Sequence, residues 1–371
     1  MIETEVAVIG GGVAGLVSAI ESAKLGANVC LIDENSRPGG QLFKQIHKFF
    51  GSQRHYAGAR GFEIGESLLR DARANGVKIL LNSYVFGIFG KEIGVVEKTG
   101  DQTSLRWVNA ESLILSCGAS ERMMMLPGGT LPGVMGAGAA QTLINVHRVL
   151  PGKKFLMIGS GNVGLVVSYQ ILQAGGEVAA VVEALPRIGG WGVHAAKIQR
   201  LGVPILTSHT IKEVQGRDRV DSATIVALDK SMRQIPGSEE ILDVDVVCIA
   251  IGLKPNIELA LMAGCETMYL DELGGRVPVH DENMETTVDG VYVVGDCAGV
   301  EEASTAIESG RLVGAVVAEK LGHLPRAKAV GIRALNRSVL DDLRGGPLCS
   351  HRLRAKERLV DYAKTMKENS Q

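Results

Sequence analysis

Two glycine-rich turns carry the clearest chemistry in this chain. Gly10, Gly12 and Gly15 follow the apolar run Val6-Ala7-Val8-Ile9, with Val13 and Ala14 inside the motif. Gly159, Gly161 and Gly164 follow Phe155-Leu156-Met157-Ile158, with Asn162 and Val163 in the equivalent places. A turn of this kind, between a strand and a helix, lets the main chain approach a pyrophosphate lying on the helix N-terminus. Bulkier residues would block that approach. Each copy is followed, at the end of the next apolar run, by an acid: Asp33 with Glu34 beside it in the first, Glu183 in the second. A carboxylate there accepts the ribose hydroxyls of an adenosine moiety, and register favours Asp33 with Glu34 kept as the alternative. Two such constellations imply two dinucleotides.

The elements that must position these residues follow from periodicity and turn signals. The opening reads as a strand over 5–9, a glycine turn, an apolar-faced helix over about 13–25 and a strand over 28–32, a βαβ unit. The second copy reads as a strand over 154–158, a helix over 163–174 and a strand over 178–182. Between them lie the loop Pro38-Gly39-Gly40-Gln41, a helical segment over 64–75, alternating strand patterns over 77–107, and a strand over 112–116 entering Cys117-Gly118-Ala119. Further strands are expected around 203–207, 211–228 and 244–251, the last ending in Gly252-Leu253-Lys254-Pro255-Asn256. The fold class expected is α/β with two Rossmann-like dinucleotide-binding domains. Because Thr287 to Asp296 follows the second unit, the first domain is read as discontinuous, 1–143 with 284–328, and the second nucleotide domain, 144–283, as inserted in it. The tail, 329–371, breaks at Gly345-Gly346-Pro347 and carries Arg352, Arg354, Lys356 and Arg358. Helical spacing at Leu359, Tyr362 and Ala363 reads as a short amphipathic helix, a solvated appendage in preference to a partner-docking element.

Composition excludes several classes. At 371 residues, 46% hydrophobic and 22% charged, the chain has material for two cores. A formal net charge of -2 and a pI near 6.5 leave no footprint for nucleic acid or an anionic membrane as partner. The acidic N-terminus runs straight into a strand and no apolar run approaches a membrane span, so a soluble, cytoplasmic protein is expected. The six cysteines, at 30, 117, 248, 265, 297 and 349, show no CxxC spacing, which argues for reduced thiols, with neither a metal site nor a dithiol relay. Glu183 would repel the extra phosphate of NADP, so NAD(H) is expected over NADP(H), with Arg187 close enough to soften that preference. A second site that binds a nucleotide without turnover is the competing reading.

Taken together, Gly10 to Gly15, Gly39-Gly40-Gln41, Cys117-Gly118-Ala119, the second fingerprint, Gly252 to Asn256 and Thr287 to Asp296 resemble the FAD-dependent pyridine-nucleotide oxidoreductases with two dinucleotide-binding domains, over about residues 1–325. More narrowly, Ser116-Cys117-Gly118-Ala119-Ser120-Glu121-Arg122, Leu126-Pro127-Gly128, Leu131-Pro132-Gly133-Val134-Met135 and Gly136-Ala137-Gly138-Ala139-Ala140-Gln141 are similar to an α-subunit group. That group comprises sarcosine oxidase, opine oxidase, hydrogen cyanide synthase and dye-linked proline dehydrogenase. The resemblance implies that Gly10, Gly12, Gly15 and Asp33 or Glu34 hold the ADP half of FAD. Gly40 and Gln41 would lie near the flavin, and Val85 would lend its backbone to the adenine. Gly295 and Asp296 would take the ribityl chain, and the helix beginning at Ala303-Ser304-Thr305 would aim its amides at the flavin pyrimidine. Cys117 and Cys297 would lie near the flavin as inert thiols, and His47 and His194 are read as structural residues, since hydride transfer needs alignment more than an acid.

The function expected is an FAD-dependent oxidoreductase, the α-type subunit of an amine or imino-acid dehydrogenase or oxidase. It would act on a small-molecule substrate with a second flavoprotein subunit, in an oligomer. The alternatives are a free-standing NADH-dependent reductase of a small acceptor or electron carrier, and a non-catalytic nucleotide-binding subunit.

Overall fold

The computed structural model describes residues 1–346 and 349–369. Within it the chain forms two units, one from residues 1–120 and the chain from 254 onward, the other from residues 121–253. These limits differ from the 143 and 283 drawn on the sequence. Residues 121–143 belong to the second unit because Val134–Gly136 pairs in parallel with Val246–Ile249. Residues 254–283 belong to the first, whose core takes in Ala260 and Cys265.

In the first unit, strand Ile2–Ile9 lies between Val29–Ile32 and the second half of the long strand Gln102–Leu115, all parallel. Lys78–Leu80 extends one side, and Val291–Val293 pairs in parallel with Leu113–Leu115. Val6 to Ile9 are buried in succession, as expected of a parallel strand covered on both faces. Helices Val13–Lys24 and Ala303–Lys320 pack closely: a Cβ on Gly310 would stand 2.7 Å from the Ala14 carbonyl oxygen, so this contact requires glycine. The expected separate strand over 112–116 is the end of one strand, Gln102–Leu115. Its first half alternates because it pairs antiparallel with Glu92–Thr99 in a meander with Ser83–Phe89. Its end, Leu113-Ile114-Leu115, is continuously apolar and buried where it lies between parallel neighbours, and one strand therefore carries two patterns.

In the second unit the parallel order is Ile205–Thr207, Glu177–Glu183, Lys154–Ile158, Val246–Ile249 and Val134–Gly136. An antiparallel sheet of His209–Gln215, Ser222–Ala227 and Glu240–Asp243 packs on one face of it, burying Leu156, Ile158 and Val182 with Ile211, Ala223 and Ile225. The α/β class with two dinucleotide-binding units is thus observed.

The tail departs from expectation. It forms two long helices, Arg326–Arg344 and Ser350–Asn369, and the second is no solvated appendage. Ala355, Leu359 and Ala363 are buried against Leu270, Leu273, Val277 and Val279 of the hairpin Thr267–Leu270 with Gly275–Pro278. The apolar stripe is visible in sequence, but the hairpin that covers it lies far back along the chain. Among the described residues no helix is long and apolar enough to cross a membrane.

Candidate functional site

The first glycine turn stands at the carboxyl end of Ile2–Ile9, where open parallel sheets bind ligands. Two of its glycines are required by packing. Gly10 has φ of 100°, and a Cβ on Gly15 would lie 1.9 Å from the Gly10 carbonyl oxygen. Gly12 is different. It is the N-cap of Val13–Lys24 with no side-chain cap, and a Cβ there would meet nothing within 4 Å. Open space above uncapped helix amides is the requirement of a phosphate. The loop at Gly39 and Gly40 closes beside it: Gly39 N donates to Gly11 O at 2.6 Å, and a Cβ on Gly40 would stand 3.1 Å from Gly12 Cα. Gln41 is exposed in the short turn Gly40–Lys44.

Asp33 is tied to this loop. Its Oδ2 accepts from Gly11 N at 2.5 Å and its Oδ1 from Asn35 N at 2.8 Å, while Glu34 is exposed. Ser83 N donates to Asp33 O at 3.0 Å, which brings the start of Ser83–Phe89 alongside. The pairing of that strand slips between Val85 and Gly87. Such a bulge frees main-chain groups from the ladder, as recognition of a base by the Val85 backbone would need.

The second unit repeats the construction. Gly159 has φ of 109°, and a Cβ on Gly164 would lie 2.1 Å from Gly159 O, whereas Gly161, the N-cap of Asn162–Gln173, faces open space. Glu183 accepts from Ser160 N at 2.9 Å and from Ser160 Oγ at 2.6 Å, and its other oxygen from Leu185 N at 2.9 Å. A second Gly-Gly loop closes here too: Gly190 N donates to Ser160 O at 2.8 Å and Trp191 N to Asn162 Oδ1 at 2.9 Å. Val163 is 42% exposed at the start of the helix. Gly252 ends the strand side of this unit with φ of 119°, its carbonyl accepting from Arg122 N at 2.9 Å.

A third group in the first unit surrounds Asp296. Gly295 has φ of 66°, and a Cβ on it would lie 2.9 Å from Ala14 Cβ, so the turn Gly295–Ala298 rests on the first helix. Among the described residues the Asp296 carboxylate accepts one hydrogen bond, from Glu301 N at 3.3 Å, and burial pushes the group up to about 6. Acceptor capacity is left over at a desolvated carboxylate, which suits the hydroxyls of a polyol chain. Helix Ala303–Lys320 starts next to it with no side-chain cap at Glu302, so the amides around Ser304 and Thr305 present the positive end of its dipole. Thr305 Oγ1 donates to Glu302 O at 2.6 Å.

The thiols nearby are inert. Cys297 Sγ donates to Leu115 O at 3.1 Å, and burial pushes it up to about 11. Burial also holds Cys117 far above the ordinary thiol range. Asn256 staples the Cys117-Gly118 turn through Nδ2 to Cys117 O at 3.0 Å and N to Gly118 O at 3.0 Å. Gly118, with φ of 69°, faces open space. His194 lies buried in the helix Gly192–Arg200, and burial lowers its pKa, with Lys197 adding to the effect.

The profile of the pyridine nucleotide-disulphide oxidoreductases matches residues 4–310. The chain belongs to the pyridine nucleotide-disulphide oxidoreductase family. Membership makes it an FAD-dependent oxidoreductase that also binds a pyridine nucleotide, and both glycine cradles fit that chemistry. The sequence holds no closely spaced cysteine pair of the kind a dithiol relay uses.

Among curated relatives, an opine oxidase component from Agrobacterium tumefaciens, named as one subunit of that enzyme, is 31% identical over 82% of this chain and 63% of its own length. The chain therefore spans less than two thirds of that relative. Hydrogen cyanide synthase subunit HcnB from Pseudomonas aeruginosa is 28% identical over 91% of this chain and 75% of its own. Among solved structures, thioredoxin reductase from T. acidophilum aligns with a TM-score of 0.69 at 19% identity, over 86% of this chain and 99% of that one. L-proline dehydrogenase from P. horikoshii gives 0.68 at 24%, over 92% and 59%. These likenesses show the shared fold.

Two parts of the site escape a reading of the sequence alone. Gly189-Gly190 stands at the same spacing from Glu183 as Gly39-Gly40 from Asp33, a repeat that aligning the two halves would have found. Two tail side chains, Lys356, which reaches the Asp296 turn, and Arg344, which holds Glu301 beyond it, give no local signal beyond a basic run.

Proposed function

We propose that this chain is the α-type flavoprotein subunit of an amine or imino-acid dehydrogenase or oxidase, binding FAD in its first unit and NAD(H) in its second. The observation that carries the reading is the duplicated cradle: in each unit an acid accepts the amide of the glycine loop, and a Gly-Gly loop closes over it. The names of the opine oxidase and hydrogen cyanide synthase relatives, both of them subunits, support a partner.

In this reading Gly10 to Gly15, Gly40 and Gln41, with Asp33 or Glu34, hold the ADP half of FAD, and the Val85 backbone meets the adenine. Gly295 and Asp296 take the ribityl hydroxyls, while Cys117 and Gly118 line the flavin side. FAD, when bound, accepts and returns a hydride. The protein's part is to orient it, and the amides at Ser304 and Thr305 stabilise negative charge that accumulates on reduction. Gly159, Gly161, Asn162, Val163, Gly164 and Gly252 hold the second nucleotide, and Glu183 selects NAD(H) by accepting its ribose hydroxyls and repelling a 2′-phosphate.

Steady-state turnover of the purified chain, alone and with a candidate second subunit, tests the assignment. Amine or imino-acid oxidation that appears only on adding the second subunit is the expected result. Full turnover by the isolated chain with NADH and a small acceptor would replace it with the free-standing reductase.

A further inference from the structure

We propose that Lys356, on the C-terminal helix, is a positioning residue of the flavin cradle: its ammonium fixes the Gly295–Ala298 turn and thereby the carboxylate of Asp296. The inference rests on the reading of Asp296 as the ribityl-binding residue. It extends the site into a part of the chain beyond the family match, which ends at residue 310.

Lys356 is 4% exposed, and its Nζ donates to Ala298 O at 2.6 Å and lies 3.2 Å from His280 Nε2. The imidazole's other nitrogen lies 2.8 Å from Asp281 O, an acceptor, so Nδ1 carries the proton and Nε2 receives one from the lysine. The first contact places the ammonium on the turn that carries Asp296, and the second holds it there from His280. Burying a lysine is costly, and Ala355, Leu359 and Ala363 already supply the helix's apolar anchor. A charge-assisted bond to a main-chain carbonyl two residues from Asp296 gives this lysine a purpose that packing does not. The neighbouring pair reinforces it: Arg344 grips Glu301 through two bonds of 2.8 Å, and Glu301 N is the donor to Asp296. Asp296 is therefore held from both sides by the tail, through Ala298 and through Glu301.

The test is FAD binding to the flavin-stripped full chain, measured by titration alongside thermal melts of the flavin-free protein. Lys356→Met is expected to weaken FAD binding roughly tenfold, from the loss of one charge-assisted hydrogen bond. Lys356→Gln, which retains a donor for Ala298 O, should lose less and covers the case in which the methionine variant fails to fold. Ala363→Gly loosens the same helix by about 1 kcal/mol without touching the turn and should bind FAD as the wild type does. Wild-type affinity in the Lys356 variants that fold would overturn the inference and leave the flavin assignment standing. An equal loss in Ala363→Gly would also overturn it, by assigning the effect to helix docking. A wild-type chain that does not take up FAD would sink the underlying reading as well.

Discussion

Glu183 and Ser160 are joined twice, the carboxylate accepting from the serine's main-chain N at 2.9 Å and from its hydroxyl at 2.6 Å. Asp33 accepts the equivalent main-chain amide, from Gly11 N, at 2.5 Å. In each unit the acid at the end of the second strand both shapes the glycine loop and stands where a ribose would arrive. Glu183→Ala should therefore weaken NADH binding about ten- to a hundredfold, since hydrogen bonds to a charged group contribute roughly 1.5–3 kcal/mol. FAD content should not change, because the first cradle is built separately. Nucleotide titration and the flavin-to-protein ratio together check this, and unchanged NADH affinity would remove Glu183 from the site.

The glycines separate folding from binding. Gly15→Ala and Gly164→Ala place a Cβ 1.9 Å and 2.1 Å from a main-chain oxygen, so both should express poorly or melt at much lower temperature. Gly12→Ala and Gly161→Ala face open space and should melt within a few degrees of the wild type when ligand-free. They should nonetheless lose affinity for FAD and NADH respectively, because the methyl group occupies the path of the phosphate. Melting curves with and without each nucleotide distinguish the two pairs.

Asp296 gives a pH signature. Its carboxyl is raised by burial from 3.8 to about 6, so between those values the folded, flavin-free chain keeps a proton that the unfolded chain has lost. This contribution to stability is present below pH 4 and fades as pH rises through about 6. FAD affinity should run the opposite way, increasing through the same window as the carboxylate forms to accept hydroxyls. Burial raises the neighbouring Glu301, but the charge and hydrogen bonds of Arg344, with the charges of Lys356 and Arg352, together hold it below the ordinary carboxylate value. Asp296→Asn should flatten the FAD profile; a variant that keeps the wild-type slope would assign the titration elsewhere.

Much of this is legible in the sequence because strand, glycine turn, helix and acid are local features. Both βαβ units, the acids and the uncapped helix at Ala303 stand within a few residues of where the pattern puts them. What pattern cannot show is contact between distant segments. Val134–Gly136 is a three-residue strand that exists through its pairing with Val246–Ile249, and no periodicity announces it. Lys356 looks like one more surface cation in a basic run until its helix is seen docked on residues 267–278.

The cysteines should be dispensable for electron transfer. Cys297 is buried with its thiol near 11, and Cys117 is higher still, so neither forms a thiolate at neutral pH. The double variant Cys117→Ser with Cys297→Ser should retain NADH-driven flavin reduction within about threefold, the scale of a local packing change. A loss of two or more orders of magnitude would restore a thiol to the mechanism.

In the proposed function the second unit is a working NAD(H) site and the first holds FAD. Anaerobic titration of the FAD-loaded chain with NADH, followed by the oxidised flavin absorbance, tests it most directly. Bleaching that is complete near one equivalent of NADH, with NADPH much less effective, is the predicted result. A flavin that stays oxidised while NADH is present in excess would contradict it.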